Sequence, residues 1–431
     1  MRRGPSIRVL LASMNAGAGH NALRDSFAAL LGHADTHRSI DPMVWTSADR
    51  FVDSFYAFCV RYMPRFQGTI VELSGWPLAL EAAVRLSHQL QREATSLLRS
   101  EPFDLLVTTH PLQAIIFGRA RRVLGLATPI VCAVPDYGVP PPVYYPLRAN
   151  FRPDGLIVME ETTVDHYRSL GVPEDRLHFS GFLTREPFVQ AGDWLRNEPL
   201  SIVRGRLRTE VASSHPGFRR FRIDRPTLLF LGGSAWTSKT APVLRAVLAD
   251  PDLRALANIV VVAGRDAVFE ARLRALEEEN LHVFGFVAPA VLAALMGLAD
   301  VPILGSLAPA TLQELLEVGL GPLLLSHFIP GSEWPHVGYI ESKRLGVYEP
   351  HAPHMVRLIR EILGLLPASE RLALARDCFR ERARVIRIRS AERALELPNF
   401  LLQMAETPRL PVVSSSRWHG DGRTTASPST R

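Results

Sequence analysis

The stretch 7-IRVLLASMNAGAGHNALRDSFAALL-31 joins an apolar, β-branched run to a turn with two glycines and then to a helical pattern. A strand that turns sharply into a helix is the opening unit of a parallel sheet. Gly17 and Gly19 let the backbone bend and come close to a ligand. The helix that follows offers free N–H groups and the positive end of its dipole to the same turn. The third glycine of a dinucleotide fingerprint is absent, so the turn by itself suits an anion or a polar ligand without naming one. His20 stands in the first helical turn, where the dipole disfavours its protonated form, which makes it a candidate acid–base group as well as a possible cap or packing residue.

The same rhythm continues along the chain. Short apolar runs at 104-DLLVTT-109, 129-PIVCAV-134, 155-GLIVM-159 and 177-LHFSG-181 alternate with helical patterns. It restarts at 227-TLLFLGG-233 and repeats at 258-NIVVVAG-264, 281-LHVFGF-286, 301-VPILG-305 and 322-PLLLS-326. Two α/β halves follow, each with a parallel sheet covered on both faces. Between them lies a basic, polar segment, 185–224, which reads as a linker plus a peripheral helix. The expected organisation is a first half over 1–184, this linker, a second half over 225–379, a terminal helix over 380–405 and a disordered tail over 406–431.

Length and composition agree with that plan. A chain of 431 residues, 47% of them apolar, can bury two cores. Three cysteines, Cys59, Cys132 and Cys378, stand far apart, which argues against a disulfide framework or a structural zinc site and for a reducing, cytoplasmic setting. The most apolar window, 286-FVAPAVLAALMGLADVPILG-305, is broken by Pro289, Asp300 and Pro302, and reads as a core helix and a strand rather than a membrane span. Arg8 interrupts the apolar start, so a secretory leader is not expected. The net charge of +6 invites a nucleic-acid or membrane partner, but the tail 407–431 holds four arginines against one aspartate, half of that excess. Nucleic acid is therefore not expected. Arg376, Arg380, Arg384 and Arg387 share one face of a helical stretch, either as a solvated face or as a contact for anionic headgroups.

Ligands of open parallel sheets bind beyond the carboxyl ends of the strands, so chemistry is sought just after each apolar run. There 134-VPDYGVPPPVYYP-146 carries Asp136, Tyr137 and a proline-rich loop with Val143, Tyr144 and Tyr145, an acid beside a greasy loop suited to an amphiphilic substrate. In the second half Gly232 and Gly233, Arg265, Phe286 and Val287, and Ser306 end successive strands. Thr311 with Glu314 reads as the capping box of a helix that starts near Thr311.

Together 15-NAGAGH-20, 110-HPL-112, 134-VPDYGV-139 and 180-SGFL-183, followed by 232-GG-233, 264-GR-265, 285-GFV-287, 311-TLQE-314 and 330-PGSE-333, resemble one family in motif and order. It is the glycosyltransferases that make monogalactosyl- and glucosyl-diacylglycerols, which are similar to the peptidoglycan N-acetylglucosaminyltransferase. The resemblance covers residues 7 to 400 and implies an α/β GT-B fold, two Rossmann-like domains facing across a cleft, with the terminal helix crossing back to the first.

It also implies an inverting, metal-independent transfer of a hexose from a UDP-sugar co-substrate, with no other cofactor, to a lipid or other hydrophobic hydroxyl. By that likeness Phe286 and Val287 border the uracil, Glu314 holds the ribose hydroxyls and Glu333 approaches the sugar. Arg265 lies near the nucleotide, with Gly232, Gly233, Ser306 and Thr311 completing the donor side. Gly17, Gly19, Tyr137, Val143, Tyr144 and Tyr145 form the acceptor side. His20 is the candidate general base, with Asp136 its orienting partner or the competing base. A peripheral position on the inner face of the cell membrane follows from the same likeness. Two departures stand out: 306-SLAP-309 replaces a KPGG-like segment, and His336 replaces a frequent asparagine. Competing readings are a soluble aglycone as acceptor, a non-catalytic sugar-nucleotide-binding protein, and a sugar-nucleotide epimerase of the same architecture.

Overall fold

The computed structural model describes residues 4–14, 18–34, 36, 38–47, 54, 58–59, 62–233 and 237–407. Gly17 and the tail from 408 on lie outside them. Two parallel six-stranded sheets organise the chain. The first contains β1 (Gly4–Met14), β2 (Arg38–Ser47), β3 (Leu105–Thr108), β4 (Ile130–Val134), β5 (Gly155–Val158) and β6 (Leu177–Phe179), in the order β2-β1-β3-β4-β5-β6. The second contains β7 (Thr227–Leu231), β8 (Asn258–Val262), β9 (Leu281–Phe284), β10 (Val301–Leu304), β11 (Leu323–Leu325) and β12 (Gly346–Tyr348), in the order β12-β11-β10-β7-β8-β9.

The apolar runs are continuous rather than alternating because both faces of each sheet are covered. In β1, Val9 and Leu11 face a layer built with Leu23, Phe27 and Leu31, while Leu10 and Ala12 face another with Ile115 and Phe117. Each of the larger ones, Val, Leu, Ile and Phe, contributes roughly 1.5–3 kcal/mol when fully buried. The expected core helix and strand after Phe286 are the helix Pro289–Leu298 and β10. The strands absent from the sequence reading, β2 and β12, are each one edge of their sheet, whereas the opposite edges, β6 and β9, were read. Pro42 sits within β2, where an edge tolerates a missing donor, and β12 is only three residues long.

The order of strands reverses between β1 and β3 and again between β7 and β10. The helix Ala18–Gly32 after β1 and the helix Pro111–Leu124 after β3 pack on opposite faces of the first sheet. Likewise Ala241–Ala249 after β7 and Pro309–Val318 after β10 pack on opposite faces of the second. A crevice opens where consecutive connections diverge, and each sheet therefore has one.

The segment 185–224, expected as a linker with a peripheral helix, is built into the second core. It forms the helices Glu186–Asn197 and Leu200–Ser214, and Phe188, Val203, Leu207, Val211, Phe218 and Phe221 pack with Leu229 and Val260 of the sheet. Its apolar residues recur at helical spacing among arginines, which dilutes them in any composition window. The return to the first half is made by two helices, Glu370–Ala394 and Leu397–Glu406. The first leaves the second core through Phe379 and Ala383, and the second lays Leu397, Phe400 and Leu401 on the first sheet. Ser390 Oγ accepts from the Phe182 amide at 2.9 Å. There a Cβ on Gly181, which has φ +65°, would lie 2.4 Å from the Ser390 Cα, so only glycine admits the crossing helix.

Candidate active site

A cleft of about 700 Å³ lies between the carboxyl ends of the two sheets. Both crevices open into it: His20 and His110 come from the β1/β3 reversal, Gly232, Gly233 and Ser306 from the β7/β10 reversal. Its first-half wall is apolar, with Ile70, Val71, Leu80, Ala83 and Val143. The helices Pro64–Leu73 and Pro77–Leu86 supply four of these.

His20 is held by one bond, Nδ1 to the Thr109 carbonyl oxygen at 2.5 Å. A carbonyl only accepts, so Nδ1 carries the proton and Nε2 is left as an acceptor. Burial lowers the His20 pKa, and the Asp136 charge and the Thr109 oxygen offset this only in part. The ring meets His110 edge-on, with centroids 4.8 Å apart. His110 caps its own helix through Nδ1, which accepts from the Leu112 amide at 3.2 Å, and burial with the neighbouring His20 lowers its pKa further. Two neutral imidazoles thus share this end of the cleft.

Asp136 does not orient His20; Thr109 does. The Asp136 Oδ1 lies 3.2 Å from His336 Nε2 in the other half, an ion pair across the cleft when the imidazole is protonated. Nδ1 of His336 donates to the Leu307 carbonyl at 2.9 Å, within the 306-SLAP-309 segment. Burial disfavours the His336 charge, but the Asp136 hydrogen bond and charge, the Glu333 charge and the Leu307 carbonyl outweigh it and raise its pKa. Asp136 and Glu333 thus favour the protonated form of His336 beside the segment.

Thr311 is not a cap. The helix begins at Pro309 with Ala308 as N-cap and no side-chain cap bond, so Thr311 and Glu314 lie inside it. Glu314 is buried and accepts from Arg185 Nε at 2.9 Å; burial pushes its pKa up to about 7 against that partner. Glu333 is also buried and raised in pKa by burial, with Oε1 accepting from Ser306 Oγ at 2.6 Å and Oε2 from the Ile329 amide at 2.7 Å.

The cleft gathers His20, Asp136, Gly19, Val143, Tyr144, Gly232, Gly233, Phe286, Val287, Ser306, Thr311, Glu314 and Glu333. It does not gather Tyr137, Tyr145 or Arg265. Tyr137 is buried between the halves, donating to the Pro309 carbonyl at 2.8 Å and stacking on Tyr339. Tyr145 lies under Arg152, whose guanidinium carbon is 4.4 Å from its ring centre. Arg265 reaches the rim only through Phe286, 5.2 Å above that ring. His110, Arg185 and His336 were not among the expected site residues. His110 had a usable signal, its place directly after a strand, and His336 stood out as a departure from the resembled family, but its partner Asp136, 200 residues away, and the role of Arg185, 129 residues from Glu314, become visible only through the fold. Arg185 is the sole lysine or arginine lining the cleft among the described residues.

No family model matches the chain. It is 24% identical over 384 residues to a probable monogalactosyldiacylglycerol synthase 3 of Oryza sativa, covering 84% of this chain and 69% of that protein. It is 23% identical over 371 residues to monogalactosyldiacylglycerol synthase 2 of Arabidopsis thaliana, covering 82% and 73%. The UDP-GlcNAc 2-epimerase of Neisseria meningitidis bound to UDP-GlcNAc superposes with a TM-score of 0.56 at 10% identity, over 90% of this chain and all of that one. Over most of its length the chain is thus distantly similar to the monogalactosyldiacylglycerol synthases, and its fold is GT-B.

Proposed function

We propose that the chain transfers a hexose from a uridine diphosphate sugar to a hydroxyl of a lipid, with inversion at the anomeric carbon. The observation that carries this reading is His20: a neutral imidazole with Nε2 free to accept, at one end of a cleft whose near wall is apolar. The acceptor oxygen attacks the anomeric carbon, Nε2 takes its proton, and the bond to the diphosphate oxygen breaks with its electron pair leaving on UDP. Negative charge then grows on the leaving group. Backbone N–H groups of the 232–233 turn and of the uncapped helix Pro309–Val318 face it, with Arg185 and, in its favoured protonated form, His336 nearby.

The donor assignment is supported by the UDP-GlcNAc held in the structural neighbour. The lipid assignment is supported by the outer surface of the helices Pro64–Leu73 and Pro77–Leu86. Phe66, Leu73, Trp76, Leu78 and Leu86 are exposed there, flanked by Arg65 and Arg85, while the inner faces of the same helices line the cleft. A lipid headgroup entering from a bilayer meets that surface first. The arginine face of Glu370–Ala394 is the weaker candidate, since Arg384 is paired with Glu381 and Arg389 with Glu161.

UDP and UDP-sugars raise the thermal midpoint of the wild-type chain, and sugar-dependent UDP release is lost in His20→Ala with nucleotide binding retained. No shift with any uridine nucleotide removes the donor assignment. A second reading, binding without turnover, draws on the internal bonds of Glu314 and Glu333, which occupy the carboxylates meant for donor hydroxyls. Nucleotide binding without UDP release under any acceptor selects it.

A further inference from the structure

The carboxyl end of β12 runs into 349-EPHAPH-354, outside the cleft. Glu349 is anchored by its amide, which donates to the Leu325 carbonyl at 2.9 Å, and its side chain is largely buried. Its Oε1 accepts from the His351 amide at 2.9 Å and lies 3.2 Å from His351 Nδ1, while Oε2 lies 3.7 Å from His354 Nδ1. His351 is the N-cap of the helix Ala352–Ile362 and His354 lies in its first turn. One ligand atom from each of the three residues falls within 4.8 Å of the others.

Two features distinguish this group from a chance meeting of polar side chains. Zinc–nitrogen bonds of about 2.0–2.1 Å in a tetrahedron set ligand atoms roughly 3.3 Å apart, close to the two contacts that Glu349 already makes. The backbone between the ligands is stiffened by Pro350 and Pro353, whose fixed φ lowers the entropy lost when the group closes on an ion. His351 and His354 side chains are 73% and 69% exposed, so the remaining closure needs only their rotation and no change in the core. The helix N-terminus disfavours a cation, and the Glu349 carboxylate offsets it. Among the described residues no lysine or arginine is paired with Glu349 to compete.

We propose that Glu349, His351 and His354 form a site for a divalent transition ion of the zinc class. Two imidazoles and one carboxylate are a zinc-type ligand set, and a fourth position stays open to water or to a ligand from outside the chain. The ion fastens the end of β12 to the first turn of the following helix. This site is independent of the sugar-transfer reading, because none of its ligands lines the cleft.

Cobalt(II), added alone to the full chain, reports the site by the intense visible absorption of a four-coordinate ion, and zinc displaces it. One equivalent of zinc raises the thermal midpoint of the wild type. Both signals are lost in the His351→Gln/His354→Gln double variant, whose circular dichroism matches the wild type, and persist in His88→Gln, an exposed histidine elsewhere. Absence of the cobalt spectrum, or zinc stabilisation undiminished in the double variant, overturns the proposal. If the double variant fails to fold, Glu349→Gln serves instead: unchanged zinc affinity there is the overturning result.

Discussion

His20 can act as a base because of what holds it. Its Nδ1 proton is committed to Thr109, and burial lowers its pKa below the ordinary 6.5, so Nε2 stays unprotonated through neutral pH. The catalytic base must be neutral, and a lowered pKa moves the acid limb of the kcat/KM profile to pH values below 6.5. Under the proposed transfer the midpoint of the acid limb, measurable by UDP release, therefore lies below pH 6.5; a midpoint above 6.5 contradicts the assignment. The residue type and its place in the first helical turn were legible in the sequence. The tautomer was not, because Thr109 comes from β3, 89 residues away.

At the scale of elements, the strands were readable because parallel strands buried on both faces are continuous apolar runs bounded by glycine and proline. Of the edge strands β6 and β9 were read, while β2, interrupted by Pro42, and β12, three residues long, escaped. The helices Pro64–Leu73 and Pro77–Leu86 carry the least obvious information: one face lines the cleft, and the opposite one leaves Trp76 61% and Leu78 76% exposed. Under the lipid reading, Trp76→Ser with Leu78→Ser weakens sedimentation with vesicles about tenfold or more, since each buried side chain contributes roughly 1.5–3 kcal/mol. Turnover on a short-chain soluble acceptor is retained. Unchanged vesicle binding removes this surface from the reading.

At the scale of the whole molecule the two halves are joined by more than the crossing helices. Asp136 pairs with His336, and Tyr137 donates to Pro309. Removing one partner of a buried pair leaves the other without compensation, at a cost of about 3–5 kcal/mol. His336→Leu is therefore expected to lower the unfolding free energy, measured by urea unfolding, by about 3 kcal/mol, near the lower end of that range. The sign with pH follows from the raised pKa of His336. The folded state binds its proton more tightly than the unfolded one, so the stabilisation is fully present below pH 6.5 and is lost as pH rises through the folded value. The gap between wild type and variant narrows accordingly above pH 6.5; a gap independent of pH means that the pair is not ionic.

The sequence by itself determined two α/β halves, the glycine turns at their strand ends and the histidine beside the first turn, because strand periodicity, helix starts and turn chemistry are local properties of the chain. Even the altered 306-SLAP-309 segment was plain in it. Only the tertiary structure decided what stands next to that segment. Charge and hydrogen-bond partners are set by distance in space, and it is folding that brings His336 to Leu307 and Asp136, and Arg185 to Glu314. Beside the segment that lacks the lysine thus stands a histidine whose protonated form Asp136 favours, a neighbour that no spacing rule could have located.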